Sequence, residues 1–315
     1  MKRSLKPIKK NSQIRAALII SGFCILLSSC AFNKLFLYPD HLAKETKEVK
    51  FVSRKTADTT SIKFGAGYSP TYLNSEKDTI DFPYSIESVL LDNTNGNLLN
   101  GWFYSPDSNY NGTVVLFLHG NAGNVISQAS GPAALANRGY KVLIIDYSGF
   151  GFSEGEATRK NVLIDGNAAL DYLIKRESKT AKKVLIYGQS LGGHLAATVA
   201  SRNQDKIDGL VLEGAFSSHN DIAADMAGVF GWLARISTAE QYSGKRSIQT
   251  YKKPLLVIHS REDKTVPYPH GIKLFEKGNE PKSFYQIDSC HICGPVYYAD
   301  SIAFKMNQMF TTAEK

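Results

Sequence analysis

Six residues, Gly188-Gln189-Ser190-Leu191-Gly192-Gly193, constrain this chain more than any other stretch. An apolar β-type run, Lys183-Val184-Leu185-Ile186-Tyr187, leads into them, and a helix-type run, His194-Leu195-Ala196-Ala197-Thr198-Val199-Ala200, leads out. A serine therefore stands on a sharp turn between strand and helix, with glycines at the two places where a Cβ would collide. Such a turn pushes the Ser190 hydroxyl off the sheet edge and aims the Leu191 backbone N–H at the same point. One turn thus offers a candidate nucleophile and half of an oxyanion hole.

Around this turn the chain alternates. Residues 86–91 and 99–104 read as an antiparallel hairpin through Asn95-Gly96. Strands follow at 113–118, 141–146, 209–213, 254–259 and 283–287, and helices at 126–137, 161–177, 270–277 and 295–310. The strand segments are continuous apolar runs, which implies a mostly parallel sheet covered by helices on both faces. In such sheets active residues gather at the carboxyl ends of the strands.

Three strand ends carry distinctive loops. His119-Gly120-Asn121-Ala122-Gly123-Asn124 is small enough for close backbone approach, so the Asn121 N–H is the expected partner of Leu191 in the oxyanion hole, with His119 as the loop's anchor. His259-Ser260-Arg261-Glu262-Asp263 places a carboxylate after a late strand. Asp263 is the expected acid, Glu262 points to solvent, and Glu213 is the reserve. Past the last strand comes His291. The order Ser190, Asp263, His291 fits a relay in which His291 takes the serine proton and returns it to the leaving group, while Asp263 fixes the ring's tautomer. No metal or organic cofactor is needed.

These motifs, with Asp146-Tyr147-Ser148-Gly149-Phe150-Gly151-Phe152-Ser153-Glu154-Gly155 and Val266-Pro267, resemble the α/β-hydrolase superfamily. They look closest to its membrane-associated branch, which includes protein depalmitoylases and related bacterial hydrolases. The resemblance covers residues 85–315 and implies an α/β-hydrolase fold with a small helical cap insertion at about 217–250. It implies Ser190 as nucleophile, Asp263 as acid and His291 as base of a serine hydrolase acting on small-molecule or acyl esters or thioesters. The alternatives are a peptidase of the same fold and a catalytically idle envelope binding scaffold.

The formal charge of +8 does not signal a nucleic-acid partner. Six of the 37 basic side chains lie within the first fifteen residues, and the remaining 31 nearly balance the 29 acidic ones. Those six precede an apolar run at 16–27 that ends in Leu27-Ser28-Ser29-Cys30. The pattern is that of a secretory signal peptide, residues 1–29, and the run is too short to span a bilayer. Its ending resembles the bacterial lipobox, which implies a lipid on Cys30 and an envelope location, on the periplasmic face of the outer membrane. Residues 30–84 then form a tether and packing segment. In an oxidising envelope Cys290 and Cys293 could pair around His291 and brace or gate it, the alternative being two ordinary thiols.

His194 is expected to pack on the sheet, and His41, His219 and His270 to lie on the surface. Ile222, Met226, Val229, Phe230, Leu233 and Ile236 fall on one helical face, either as a cap over the pocket or as a helix docked on the sheet.

Overall fold

The computed structural model describes residues 36–52 and 59–311. Thirteen strands are present among them. β1 (Tyr38–Pro39) pairs with β8 (Ala122–Gly123), and β2 (Glu48–Val52), β3 (Thr59–Phe64) and β4 (Pro70–Leu73) form a small antiparallel sheet. The remaining eight build the main sheet: β5 (Tyr84–Asp92), β6 (Leu98–Pro106), β7 (Thr113–Leu118), β9 (Lys141–Ile145), β10 (Lys183–Gln189), β11 (Gly209–Glu213), β12 (Leu255–Ser260) and β13 (Lys282–Ile287). Their order is β13-β12-β11-β10-β7-β9-β6-β5. Pairing is parallel from β13 to β9, and only the β9–β6 and β6–β5 contacts are antiparallel.

The apolar runs are explained by burial on both faces. Along β7, Val114, Leu116 and Leu118 enter one core, while Val115 and Phe117 enter the other. Alternate residues of a strand point to opposite faces, so a centrally placed strand has no polar positions to spare. The first core is closed by α2 (Arg159–Glu177), α3 (Leu191–Arg202), α6 (Gly244–Ile248) and α7 (Pro269–Lys277). The second is closed by α1 (Ser130–Ala136) and α9 (Ala299–Thr311), with Ile62 and Phe64 of the small sheet packed beside them. Truncating Leu195 or Ile302, both fully buried, would cost about 2–5 kcal/mol.

Three local readings need correction. The helix expected from 126 starts at Ser130, because the Asn124 side chain accepts the Ile126 and Ser127 N–H groups and holds them in a turn. The last helix is broken at Tyr298 (φ −126°) into α8 (Gly294–Tyr297) and α9. The segment read as tether and packing contains the small sheet, whose Ile62, Phe64 and Leu73 are buried. Finally, α4 (His219–Met226) and α5 (Gly231–Ser237) are separate helices. Gly228, at φ +53°, breaks the period between them, so Ile222 is buried while Met226, Val229, Phe230 and Ile236 face outward. No described helix is long and apolar enough to cross a membrane.

Candidate active site

Ser190 caps α3 from the end of β10 with φ +54° and ψ −116°, a conformation that costs a non-glycine residue about 1–3 kcal/mol. The turn is held by the Ser190 N–H, which donates to the Glu213 carbonyl at 2.9 Å, and by the Ser190 carbonyl, which accepts from the His194 N–H at 3.1 Å. The flanking glycines are required sterically. A Cβ on Gly192 would run into the Leu118 and His119 carbonyls, one on Gly188 would sit 2.6 Å from the Ala196 Cβ, and one on Gly193 2.6 Å from the Ala215 Cβ. Close packing of α3 against β7 and β11 is what forces the serine outward.

Asp263 and His291 are brought side by side. Asp263 lies past β12 and His291 past β13, and β12 and β13 are neighbours in the sheet. His291 Nδ1 is 2.6 Å from Asp263 Oδ2, while the Thr265 and Val266 N–H groups donate to Oδ1 at 2.8 and 2.9 Å. Burial alone would raise the Asp263 carboxyl, but the bond and charge of His291 and the two backbone donors hold it below its usual range. An ionised Asp263 leaves the proton on His291 Nδ1 and Nε2 free to accept one. Glu262 next door is exposed.

Ser190 and His291 converge on the end of β11. Ser190 bonds the Glu213 carbonyl, and the His291 Cε1 packs 3.1 Å from the position of a Cβ on Gly214. No hydrogen bond joins Ser190 Oγ to His291 Nε2 in this structure. Such bonds are often long until substrate is bound. Ile292, at φ +49°, covers the same corner: its Cδ1 lies 3.5 Å from a Cβ position on Gly120, and the Ser190 Cβ lies 3.6 Å from that position.

The reserve acid has another task. Glu213 is buried, and its carboxylate accepts from the Tyr187 hydroxyl (2.7 Å), from Gln189 Nε2 (2.7 Å) and from the Gly294 N–H (2.6 Å). Gln189 Nε2 also donates to the Ile292 carbonyl at 3.2 Å. Burial raises the Glu213 carboxyl, opposed by these donors. Glu213 and Gln189 thereby tie the residue before the serine to the residues after the histidine. Cys290 and Cys293 are joined as a disulfide with Cα atoms 5.6 Å apart, bracketing His291 and Ile292.

The Asn121 loop follows β7. Neither the Asn121 N–H nor the Leu191 N–H makes a hydrogen bond among the described residues, so both are available to a ligand. His119 is buried beneath, its ring 4.3 Å from that of Tyr147, and burial lowers its pKa to about 4, which suits an anchor and not a proton carrier. Asp146 supports the loop from below by accepting from the Val125 N–H at 2.8 Å.

Two histidine readings are overturned. His219 and His270 are buried, not on the surface. His219 opens α4 against the rings of His194 and Phe36, and His270 is bonded by Ser217 (2.9 Å) and Asp225 (2.7 Å). Both sit where the segment around α4 meets Phe36, α3 and α7, long-range contacts without a local sequence signal. His41 is exposed, and His194 packs on Phe216. Among the described residues no group of three or more His, Cys, Asp or Glu is arranged to hold a metal ion. Cys30 lies outside the described residues.

A family model described as alpha/beta hydrolase fold matches residues 113–236, from β7 through Ser190 into α5. The uncharacterized protein YfhR of Escherichia coli O157:H7 is 32% identical over 217 residues, covering 67% of this chain and 75% of its own length. The chain belongs to the α/β-hydrolase family. Other relatives include protein bem46 of Schizosaccharomyces pombe, 32% identical over 59% of this chain and 62% of its own, and human alpha/beta hydrolase domain-containing protein 17B, 29% identical over 67% and 68%. Among solved structures, an esterase of Pyrococcus furiosus superposes with a TM-score of 0.61 at 18% identity, over 73% of this chain and 91% of its own. That likeness shows the fold.

Sequence reasoning missed Gln189, Asp146 and the structural role of Glu213. Glu213 ends an apolar strand beside the serine strand, and a lone carboxylate there was the one available signal.

Proposed function

We propose that this α/β hydrolase cleaves carboxylic esters or thioesters through an acyl-enzyme on Ser190. The observation that carries the reading is the 2.6 Å contact between His291 Nδ1 and Asp263, on neighbouring strand ends, beside a serine held at φ +54° on a turn that leaves the Leu191 N–H unpaired. In this reading Ser190 Oγ attacks the carbonyl carbon as its proton passes to His291 Nε2. The carbonyl oxygen becomes an oxyanion received by the Asn121 and Leu191 N–H groups, each such donor contributing about 10²–10³ in rate. Collapse expels the alcohol or thiol, which takes the proton from His291. Water then attacks the acyl-enzyme with His291 as base, releasing the acid and restoring Ser190.

A panel of p-nitrophenyl esters of rising chain length, acyl thioesters and peptide amides tests this. Turnover of esters or thioesters that is lost in Ser190→Ala is expected; turnover confined to amides would replace the reading with a peptidase. The proposal includes an envelope location through a lipid on Cys30, which rests on the sequence of residues 1–30. Cys30→Ser should release the protein from membranes and remove the lipid mass.

A further inference from the structure

The hydrogen bonds around the Asn121 loop lead to a segment far from it in sequence. Residues 36–42 lie across the loop as a strap. Phe36 and Leu37 are buried, and β1 then pairs in parallel with β8, Tyr38 beside Ala122 and Pro39 beside Gly123. The Tyr38 N–H donates to the Asn121 side-chain carbonyl at 3.1 Å, and the Asp40 N–H to the Gly123 carbonyl at 3.3 Å. Asn124 Nδ2 donates to both the Asp40 carbonyl and its carboxylate at 3.2 Å. Beyond the loop, the Gly151 N–H donates to the Asp40 carbonyl at 3.0 Å and the Leu42 N–H to the Gly151 carbonyl at 2.8 Å. The strap thus joins the loop after β7 to the loop after β9. It precedes the segment that the family model matches.

We propose that residues 38–40 position the oxyanion hole: their backbone holds the Asn121 loop in the conformation that aims the Asn121 N–H at the substrate oxygen. The inference rests on the serine-hydrolase reading. The physical case is one of preorganisation. A donor helps catalysis only if its orientation is fixed before charge develops. The Asn121 loop is short and carries Gly120 and Gly123, the latter at φ +88°. Its own contacts hold the neighbours of Asn121, with the His119 ring 2.8 Å from the Gly120 carbonyl and Gln128 Nε2 donating to the Ala122 carbonyl at 2.9 Å, but they do not reach Asn121 itself. Asp146 fixes the loop only at Val125, four residues downstream. At Asn121 itself the fixing contact is the Tyr38 N–H. Tyr38 is 52% exposed, so its side chain adds little packing and the backbone donor is the working group.

The test uses the full chain with two substitutions at one position. Tyr38→Pro removes the N–H, whereas Tyr38→Ala keeps it. Each is assayed for kcat and KM on a p-nitrophenyl ester, for inhibition by a trifluoromethyl ketone that forms an oxyanion on Ser190, and for inhibition by the product carboxylate. Expected for Tyr38→Pro is a 10–100-fold loss in kcat, KM within about twofold, ketone affinity weakened in step with kcat and carboxylate affinity unchanged. Tyr38→Ala should retain at least tenfold more activity than Tyr38→Pro. Lys44→Ala, which breaks only an exposed pair with Glu154, should stay within twofold of wild type. Equal losses in the Pro and Ala variants, or a kcat loss with ketone affinity intact, would overturn the strap's role. Should Tyr38→Pro fail to fold, Asn121→Ala in the folded full chain decides: it removes the strap's acceptor while keeping the Asn121 N–H, and unchanged kcat and ketone affinity would overturn it too. Wild-type enzyme that neither turns over the ester nor binds the ketone would bring down the serine-hydrolase reading and the strap with it.

Discussion

The serine turn and the histidine loop are held in opposite ways. Around Ser190 every constraint is local or lies in the adjoining strands: glycines at 188, 192 and 193, a helix packed on β7, and a bond to the neighbouring strand end. Around His291 every constraint but the local disulfide comes from far away in sequence. Asp263 holds the ring, Gln189 and Glu213 hold the backbone after it, Ser260 and Ser289 bond each other before it, and a disulfide closes over it. Its Ile292 adopts a left-handed conformation that a β-branched residue reaches only under such restraint. The serine is thus built into a rigid turn, while the histidine depends on a loop that several distant groups must agree to hold.

Removing those holds one at a time should give a graded series. Asp263→Asn comes first: the bond to Nδ1 then favours the wrong tautomer, and kcat should fall about 10³–10⁴-fold with little change in KM. Glu213→Gln is next. It replaces an acceptor-only group with one that meets Gln189 and the Gly294 N–H with a single oxygen, and about a tenfold loss in kcat is expected, with fluorophosphonate labelling of Ser190 slowed alike. A dithiol reductant, opening Cys290–Cys293 with uptake of two electrons and two protons, should lower turnover about two- to fivefold and add two mass units. Identical rates would leave the disulfide without a role in holding the base. A Glu213→Gln effect as large as that of Asp263→Asn would merge the two levels and break the comparison.

Acid separates the two regions by its pH window. His194, on the serine helix, and His119 are buried neutral, with pKa values lowered by burial to about 3 and about 4. The unfolded chain binds protons on these groups below about pH 6.5, and the folded chain does not. Their stabilisation is therefore complete above that pH and is lost as pH falls toward 4. Asp146, raised by burial to about 6, opposes one of them. The net slope should be on the order of 1–3 kcal/mol per pH unit in urea titrations at pH 6 and 5. Asp263, held low, contributes stability that is lost only below its unfolded value of about 4. Flat stability from pH 6.5 to 4.5 would refute the neutral histidines.

What the sequence disclosed follows the same division. The strand–Ser190–helix turn, the alternating elements and the order of Asp263 and His291 are written in local periodicity and in loops at strand ends, which the sheet topology then brings together. The Gly228 break hid in an apolar period that the chain does not use as one helix. The burial of His219 and His270, the Glu213 clasp and the strap on Asn121 are contacts between distant segments, made largely through backbone atoms or buried side chains. Nothing in their immediate neighbours marks them.

The most direct measurement is covalent. The full chain is treated with a fluorophosphonate, digested and mapped by mass spectrometry, beside Ser190→Ala and His291→Ala. One adduct on the peptide carrying Ser190 is predicted, absent in Ser190→Ala and slowed at least a hundredfold in His291→Ala. An adduct on another residue, or labelling of Ser190 at the same rate without His291, would contradict the account.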